Sequence, residues 1–206
     1  SYTMGTYHLT SPLSDADIEK LNIGDVIFLT GDLTTCRDDV HMRVIKQGKQ
    51  CPVDLKGNAV FHAGPIMRKN DDGSYDVVSI GPTTSMRMEE CEAEFLKETG
   101  VKVIVGKGGM GPKTTQGCKD NKAIHTIFPG GCAVVAACEV EKVDGVEWLD
   151  LGMPEAMWKM KVKEFGPLIV SIDAHGNNLI DNNKVIFNER KAPIVEEISA
   201  KLDFLD

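Results

Sequence analysis

Apolar residues along this chain fall into short runs separated by glycine, proline and polar breaks, and the runs change period between strand and helix. Ser14-Asp15-Ala16-Asp17 fits a capping box and predicts a short helix ending near Leu21. Asp25-Val26-Ile27-Phe28-Leu29-Thr30 is a buried strand pattern that Gly31 should end. Thr34 or Thr35 is then placed to cap a helix carrying Arg37 to Ile45, closed by Gly48. A turn at Gly57-Asn58 leads into the strand Ala59-Val60-Phe61-His62-Ala63, with a break at Gly64-Pro65. A hairpin follows, its loop at residues 69–73 and its returning strand at 75–80. Gly81 and Pro82 should break that strand, because glycine permits unusual dihedrals and proline lacks a ladder N–H.

Met88, Cys91, Phe95, Leu96 and Thr99 recur at helical spacing, which predicts a helix after Thr84 with Gly100 just past its end. The strand 101–105 runs into the glycine-rich loop Gly106-Lys107-Gly108-Gly109-Met110-Gly111-Pro112. A polar helix near residues 114–121, a strand over 123–128 and an apolar helix over 132–138 come next. Phe165-Gly166-Pro167 precedes a strand over 168–173, and the tail 183–202 is helical in pattern with an interruption at Pro193. Residues 149–163 fit no template. Without repeats or linkers, the whole reads as one α/β or α+β layered domain with a mixed sheet over residues 6–206. Ser1 to Gly5 read as an expression remnant with no role.

Composition narrows the function. The chain has 206 residues, 42% hydrophobic and 26% charged, so it can bury a real core. A net charge of −8 argues against a general nucleic-acid or anionic-membrane binder, but a local basic cluster could still take a small anion. No apolar run approaches the ~20 residues of a membrane span, and no export signal is visible. The six cysteines include no C-x-x-C pair and do not resemble a zinc or iron–sulfur ligand set. Reduced thiols in a cytoplasm are therefore expected.

Three stretches carry candidate chemistry. In Gly81-Pro82-Thr83-Thr84-Ser85-Met86-Arg87-Met88, three hydroxyls stand at a helix start, beside unpaired N–H donors and the positive end of the helix dipole. Arg87 adds a fork that matches a carboxylate. Alone, the stretch reads more simply as helix capping with a solvated arginine. At Arg37, Asp38 and His41, spacings of three and four allow convergence on one helical face, either as a surface ion-pair cluster or as a carboxylate-binding arginine with an imidazole–carboxylate pair. Lys107 follows a strand within four glycines. Gly106, Gly108 and Gly111 match the dinucleotide spacing, but Pro112 follows at once and no acidic residue ends the next strand, so that match is discounted. Taken together, Arg37, Arg87 and Lys107 put three cations at strand-to-helix junctions, which gather at one edge of a layered fold and suit a small dicarboxylate. Thr83 and Thr84 lie among them, and a threonine hydroxyl becomes basic only where cations stabilise its alkoxide.

These stretches resemble the β subunit of the two-subunit iron–sulfur hydro-lyases, the group of L(+)-tartrate dehydratase and class I fumarase. The resemblance rests on Thr35-Cys36-Arg37-Asp38 with His41 and Arg43, Phe61-His62-Ala63-Gly64-Pro65, Gly81 to Met88, Gly106 to Met110, and Phe165-Gly166-Pro167 with His175-Gly176-Asn177. It implies a swivelling β/β/α domain whose α-subunit partner, in an α₂β₂ assembly, holds a [4Fe–4S] cluster with one iron open to the substrate hydroxyl. It further implies that Arg37, Arg87, Lys107 and Gly81 bind the substrate. Thr83 is then the base for the C–H proton, with Thr84 beside it and Asp38 and His41 in support. Substrate choice stays open between tartrate and malate or fumarate, and the similarity around residues 158–178 favours tartrate. A stand-alone dicarboxylate-binding module is the rival reading.

Overall fold

Alternating side chains on the central strands divide the core in two. In β3 (Ala59–Phe61), Ala59 and Phe61 enter one apolar cluster while Val60 enters another. In β6 (Val103–Gly106), Val103 and Val105 enter the first cluster and Ile104 the second. Both faces are buried, as parallel strands covered on each side require. The structure, a computed structural model, describes residues 4–129, 137 and 139–181. Apart from Ala137, the helices expected over 132–138 and 183–202 lie outside the described residues.

Seven strands form the main sheet in the order β1 (Thr6–Thr10), β2 (Val26–Thr35), β3, β6, β7 (Ile124–Ile127), β9 (Met157–Ile172) and β8 (Val140–Glu147). Neighbours from β1 to β7 are parallel, whereas β9 runs antiparallel to β7 and β8. Because β9 also pairs with β2, the strands β2, β3, β6, β7 and β9 close into a ring. The first cluster fills it with Leu29, Leu33, Phe61, Phe128, Phe165 and Leu168, and the Phe128 and Phe165 rings stack at 5.1 Å. A separate hairpin, β4 (Ala63–Lys69) and β5 (Tyr75–Pro82), lies on that cluster through Met67 and Ile80, and Tyr75 meets Trp158 edge-on. The second cluster is covered by helices: α2 (Asp38–His41) continuing into the π turn Met42–Lys46, and α3 (Glu89–Thr99) packed on α4 (Pro112–Asn121). The protein is thus an α/β fold with a mixed sheet, layered as hairpin, sheet and helices.

Local signals hold where they are self-contained. The capping box is present at α1 (Asp15–Glu19): Ser14 Oγ accepts from the Asp17 N–H and the Asp17 carboxylate from the Ser14 N–H. Gly100 ends α3 in the left-handed conformation, φ 75°.

Several expected breaks are not breaks. Gly31 does not end β2; it sits at a bulge with φ 119°, where the Ser11 hydroxyl accepts the next N–H, from Asp32, at 2.8 Å. Thr34 and Thr35 therefore lie in the strand, and the cap position of α2 is Arg37 itself. Thr35 instead joins the sheet, donating to the Ala156 carbonyl and accepting from the Trp158 N–H. Gly64-Pro65 and Gly81-Pro82 run inside β4 and β5, with Gly64 opposite Gly81 and Pro65 opposite Ile80. A two-stranded sheet tolerates this, since each strand has an outer edge that needs no ladder N–H. Phe165-Gly166-Pro167 lies within the sixteen-residue β9, whose first part occupies the stretch that had fitted no template. Gly166 is the contact point there, because a Cβ would lie 2.6 Å from the Ile27 carbonyl oxygen. The edge strands β1 and β8, too polar to register as apolar runs, were not anticipated.

Candidate functional site

Four segments meet at one end of the closed sheet. Arg37 leaves β2 and caps α2, and Asp38 opens that helix. Thr83 and Thr84 follow β5, and Ser85–Met88 is a 3₁₀ turn that carries Arg87 into α3. Lys107 follows β6. His62 joins β3 to β4 and accepts the Thr83 N–H on its carbonyl at 2.8 Å. Thr84 and Lys107 form an isolated parallel bridge, and the Ser85 N–H donates to the Lys107 carbonyl at 2.9 Å. Arg87 forms an ion pair with Asp38, joining the threonine turn to α2.

The cations differ in surroundings. The Arg37 Nε lies 3.3 Å from Glu155 Oε1, and the other Glu155 oxygen accepts the Asp39 N–H at 3.2 Å. Gly64 makes room for that guanidinium, since a Cβ there would lie 2.5 Å from Arg37 Nη1. Arg87 is exposed beyond its contact with Asp38, and no ion pair engages the exposed Lys107 among the described residues. Thr83 is buried and Thr84 exposed. A Cβ on Gly81 would come no closer than 3.5 Å to the Gly64 oxygen, so packing places no demand on that glycine. Asp38, His41, Met42, Arg87, Met88 and Cys91 line a shallow cavity of about 350 Å³ on this face. Another cavity, about 780 Å³ around Val44, Cys51 and Glu98, shares none of these residues.

His41 belongs to the floor of the site. Its Nδ1 donates to the Arg37 carbonyl at 2.8 Å, and its Nε2 lies 2.5 Å from Glu92 Oε2, a charge contact out of line for a well-aligned hydrogen bond. The carboxylate paired with this imidazole is therefore Glu92; Asp38 pairs with Arg87 instead. Burial drives the His41 imidazole toward neutrality, but the Glu92 carboxylate outweighs it and raises its pKa above the ordinary value. Burial works equally against the Glu92 carboxylate, and its contacts with His41 and His62 hold it well below the usual range. The sequence contained a signal for Glu92: it interrupts the apolar stripe of Met88, Cys91, Phe95 and Leu96, all buried with it. Glu155 gave none, because it lies in the stretch without periodicity.

The glycine loop is not a dinucleotide cradle. Glu89 already occupies the start of α4, accepting from the Gly111 and Lys113 N–H groups at 2.9 and 3.0 Å and from the Thr114 hydroxyl at 2.6 Å. Nor do the described cysteines suit iron. Cys36, Cys91 and Cys118 are buried and Cys51 half-buried, all four as free thiols, and burial pushes Cys36 and Cys118 well above the ordinary thiol pKa. Arginine, lysine and threonine at the open face are a donor set for carboxylates. No helix of the described residues is long and apolar enough to cross a membrane.

Comparison with known proteins shows the family. Residues 4–183 match the family described as the fumarase C-terminus. The L(+)-tartrate dehydratase subunit beta of Escherichia coli K12 is 58% identical over 197 residues, covering 96% of this chain and 98% of that one. A protein of Methanocaldococcus jannaschii, provisionally named as the same subunit, is 44% identical over 86% of this chain and 93% of its own. A protein of Geobacillus stearothermophilus, provisionally named a class I fumarate hydratase, is 39% identical over 83% of this chain but only 33% of its own length.

Proposed function

This chain belongs to the fumarase C-terminus family as a homologue of tartrate dehydratase β subunits, and we propose that it is the carboxylate-binding half of a hydro-lyase acting on a 2-hydroxy dicarboxylate. One observation carries the reading: Arg37, Arg87, Lys107, Thr83 and Thr84 stand on segments that main-chain hydrogen bonds and the Arg87–Asp38 pair hold at one end of the sheet. Two guanidinium forks and an ammonium suit a ligand with two carboxylates. Those arginines rest on Glu155 and Asp38, so substrate carboxylates would take over charges that the free chain keeps paired internally.

In the reaction, Thr83 as its alkoxide takes the proton from the carbon beside the hydroxyl-bearing carbon. The C–H electron pair becomes the new double bond as hydroxide leaves the adjacent carbon. The proton taken by Thr83 then joins that hydroxide as water, which restores the alkoxide, and tartrate gives the enol of oxaloacetate. Neighbouring cations favour the alkoxide and the developing negative charge alike. The remaining groups, with the [4Fe–4S] cluster that the family resemblance implies, are assigned to a larger α subunit in an α₂β₂ assembly in the cytoplasm. The 58% identity to a tartrate dehydratase subunit favours L(+)-tartrate over L-malate.

Anaerobic co-expression with the larger subunit, assayed on L(+)-tartrate and L-malate side by side, tests this. Faster loss of water from tartrate is the expected result. Preference for malate would make the protein a fumarase subunit. Turnover of neither, with dicarboxylate binding retained, would reduce it to a binding module.

A further inference from the structure

Beneath the charged face runs a line of six side chains, each 0 or 1% exposed: His41, Glu92, His62, Ser85, His125 and Ser171. They come from different places in the fold, namely α2, α3, the β3–β4 joint, the 3₁₀ turn, β7 and β9. Glu92 Oε1 lies 3.3 Å from His62 Nε2, His62 Nδ1 2.8 Å from Ser85 Oγ, Ser85 Oγ 3.1 Å from His125 Nε2, and His125 Nδ1 2.5 Å from Ser171 Oγ. One set of protons serves every member. Ser171 donates to His125, His125 to Ser85, Ser85 to His62 and His62 to Glu92, while His41 faces Glu92 from the other side and donates to the Arg37 carbonyl.

We propose that this line is a positioning device for the active site, holding the Arg37, Thr83 and Lys107 main chains in register so that their side chains meet one substrate together. The inference rests on the hydro-lyase reading above. Each site segment is hydrogen-bonded to a member: the Arg37 carbonyl accepts from the His41 imidazole, the Thr83 N–H donates to the His62 carbonyl, and the Lys107 carbonyl accepts from the Ser85 N–H. Gly106 belongs to the same design, since a Cβ there would lie 1.7 Å from Ser85 Oγ. Stability alone is a poor reason for such a line. A well-packed apolar replacement of a buried ion pair is often as stable, and the adjoining helix-covered cluster is filled with Phe95, Met88 and Val40. His41 and His62 both contact the Glu92 carboxylate directly, at 2.5 and 3.3 Å.

The test uses the two-subunit complex with Ser85→Ala, Glu92→Gln and Glu92→Asp. Ser85→Ala removes one oxygen and no charge. It should lower kcat about tenfold or more, beyond any rise in KM, since small misplacements at a reacting centre are costly. The groups facing His41 are Asp38 on its own helix, Glu92 and Cys91 on α3, Arg87 on the 3₁₀ turn, and His62. Glu92→Gln removes the main support of the imidazolium, so the alkaline limb of the kcat profile should move to lower pH. Glu92→Asp should restore it in part, and Ser85→Ala should leave it in place. Wild-type kcat and limb positions in assembled variants would overturn the proposal while leaving the hydro-lyase reading standing. Failure of Ser85→Ala to fold would make the line a folding element and also overturn it. A wild-type complex inert on both substrates would overturn both readings.

Discussion

Gly64 and Arg87 show what single residues contribute to this surface. Gly64→Ala would place a methyl 2.5 Å from Arg37 Nη1, at the movable end of a long side chain. The guanidinium must shift, so KM for the dicarboxylate should rise several-fold with little change in melting temperature. Arg87→Ala removes a charge-assisted contact worth about 1.5–3 kcal/mol, which corresponds to roughly 10- to 100-fold in kcat/KM. Since Arg87 is exposed, its pair with Asp38 adds little stability, and thermal unfolding of the variant should match the wild type. Residues of this kind are legible in sequence because cations and hydroxyls stand out after an apolar strand. Glu92 is harder to see: a stripe is recognised by its apolar members, and a buried charge among them is masked by the pattern it interrupts. Glu155 depends on the turn before β9 meeting Arg37, a contact across more than a hundred residues that no local spacing encodes.

At the scale of elements, closed local motifs were readable and open ones were not. The capping box and the Gly100 end of α3 are complete within a few residues, so the sequence suffices. Ser14→Ala should cost about 1 kcal/mol in urea denaturation through loss of the Asp17 N–H partner. Gly31, Gly64-Pro65, Gly81-Pro82 and Gly166-Pro167 looked like punctuation, yet each lies inside a strand, because partners distant in sequence accommodate the irregularity. Gly31→Ala is the sharper check. It demands φ 119° of an alanine and sets its Cβ 2.2 Å from Ser11 Oγ, so it should cost about 1–3 kcal/mol, more than the cap variant. Equal or smaller destabilisation would contradict the bulge.

For the whole molecule, ring closure by β9 brings the strand ends together, and the acidic chain gathers its site cations at that end. The closure was not legible, since it depends on one long strand pairing with β2, β7 and β8. The buried line beneath also sets the pH dependence of stability. Burial, with His62 nearby, pushes the His125 pKa from 6.5 down to about 3. The unfolded chain therefore binds a proton below pH 6.5 that the folded one refuses, and stability falls as pH drops through that window. His41 is shifted upward, so its contribution is complete below 6.5 and is lost as pH rises through its folded value. Stability should peak near neutrality. His125→Gln should flatten the slope between pH 6.5 and 4.5 by up to about 1.4 kcal/mol per pH unit; an unchanged slope would remove His125 from the account.

The most direct measurement compares water loss from L(+)-tartrate by the isolated chain, by the isolated larger subunit and by the two together, with Arg87→Ala and Lys107→Ala complexes alongside. A site shared between subunits predicts no turnover by either part, turnover by the pair, and a steep loss in both variants at unchanged assembly. Turnover by the larger subunit alone, or full activity in the two variant complexes, would contradict it.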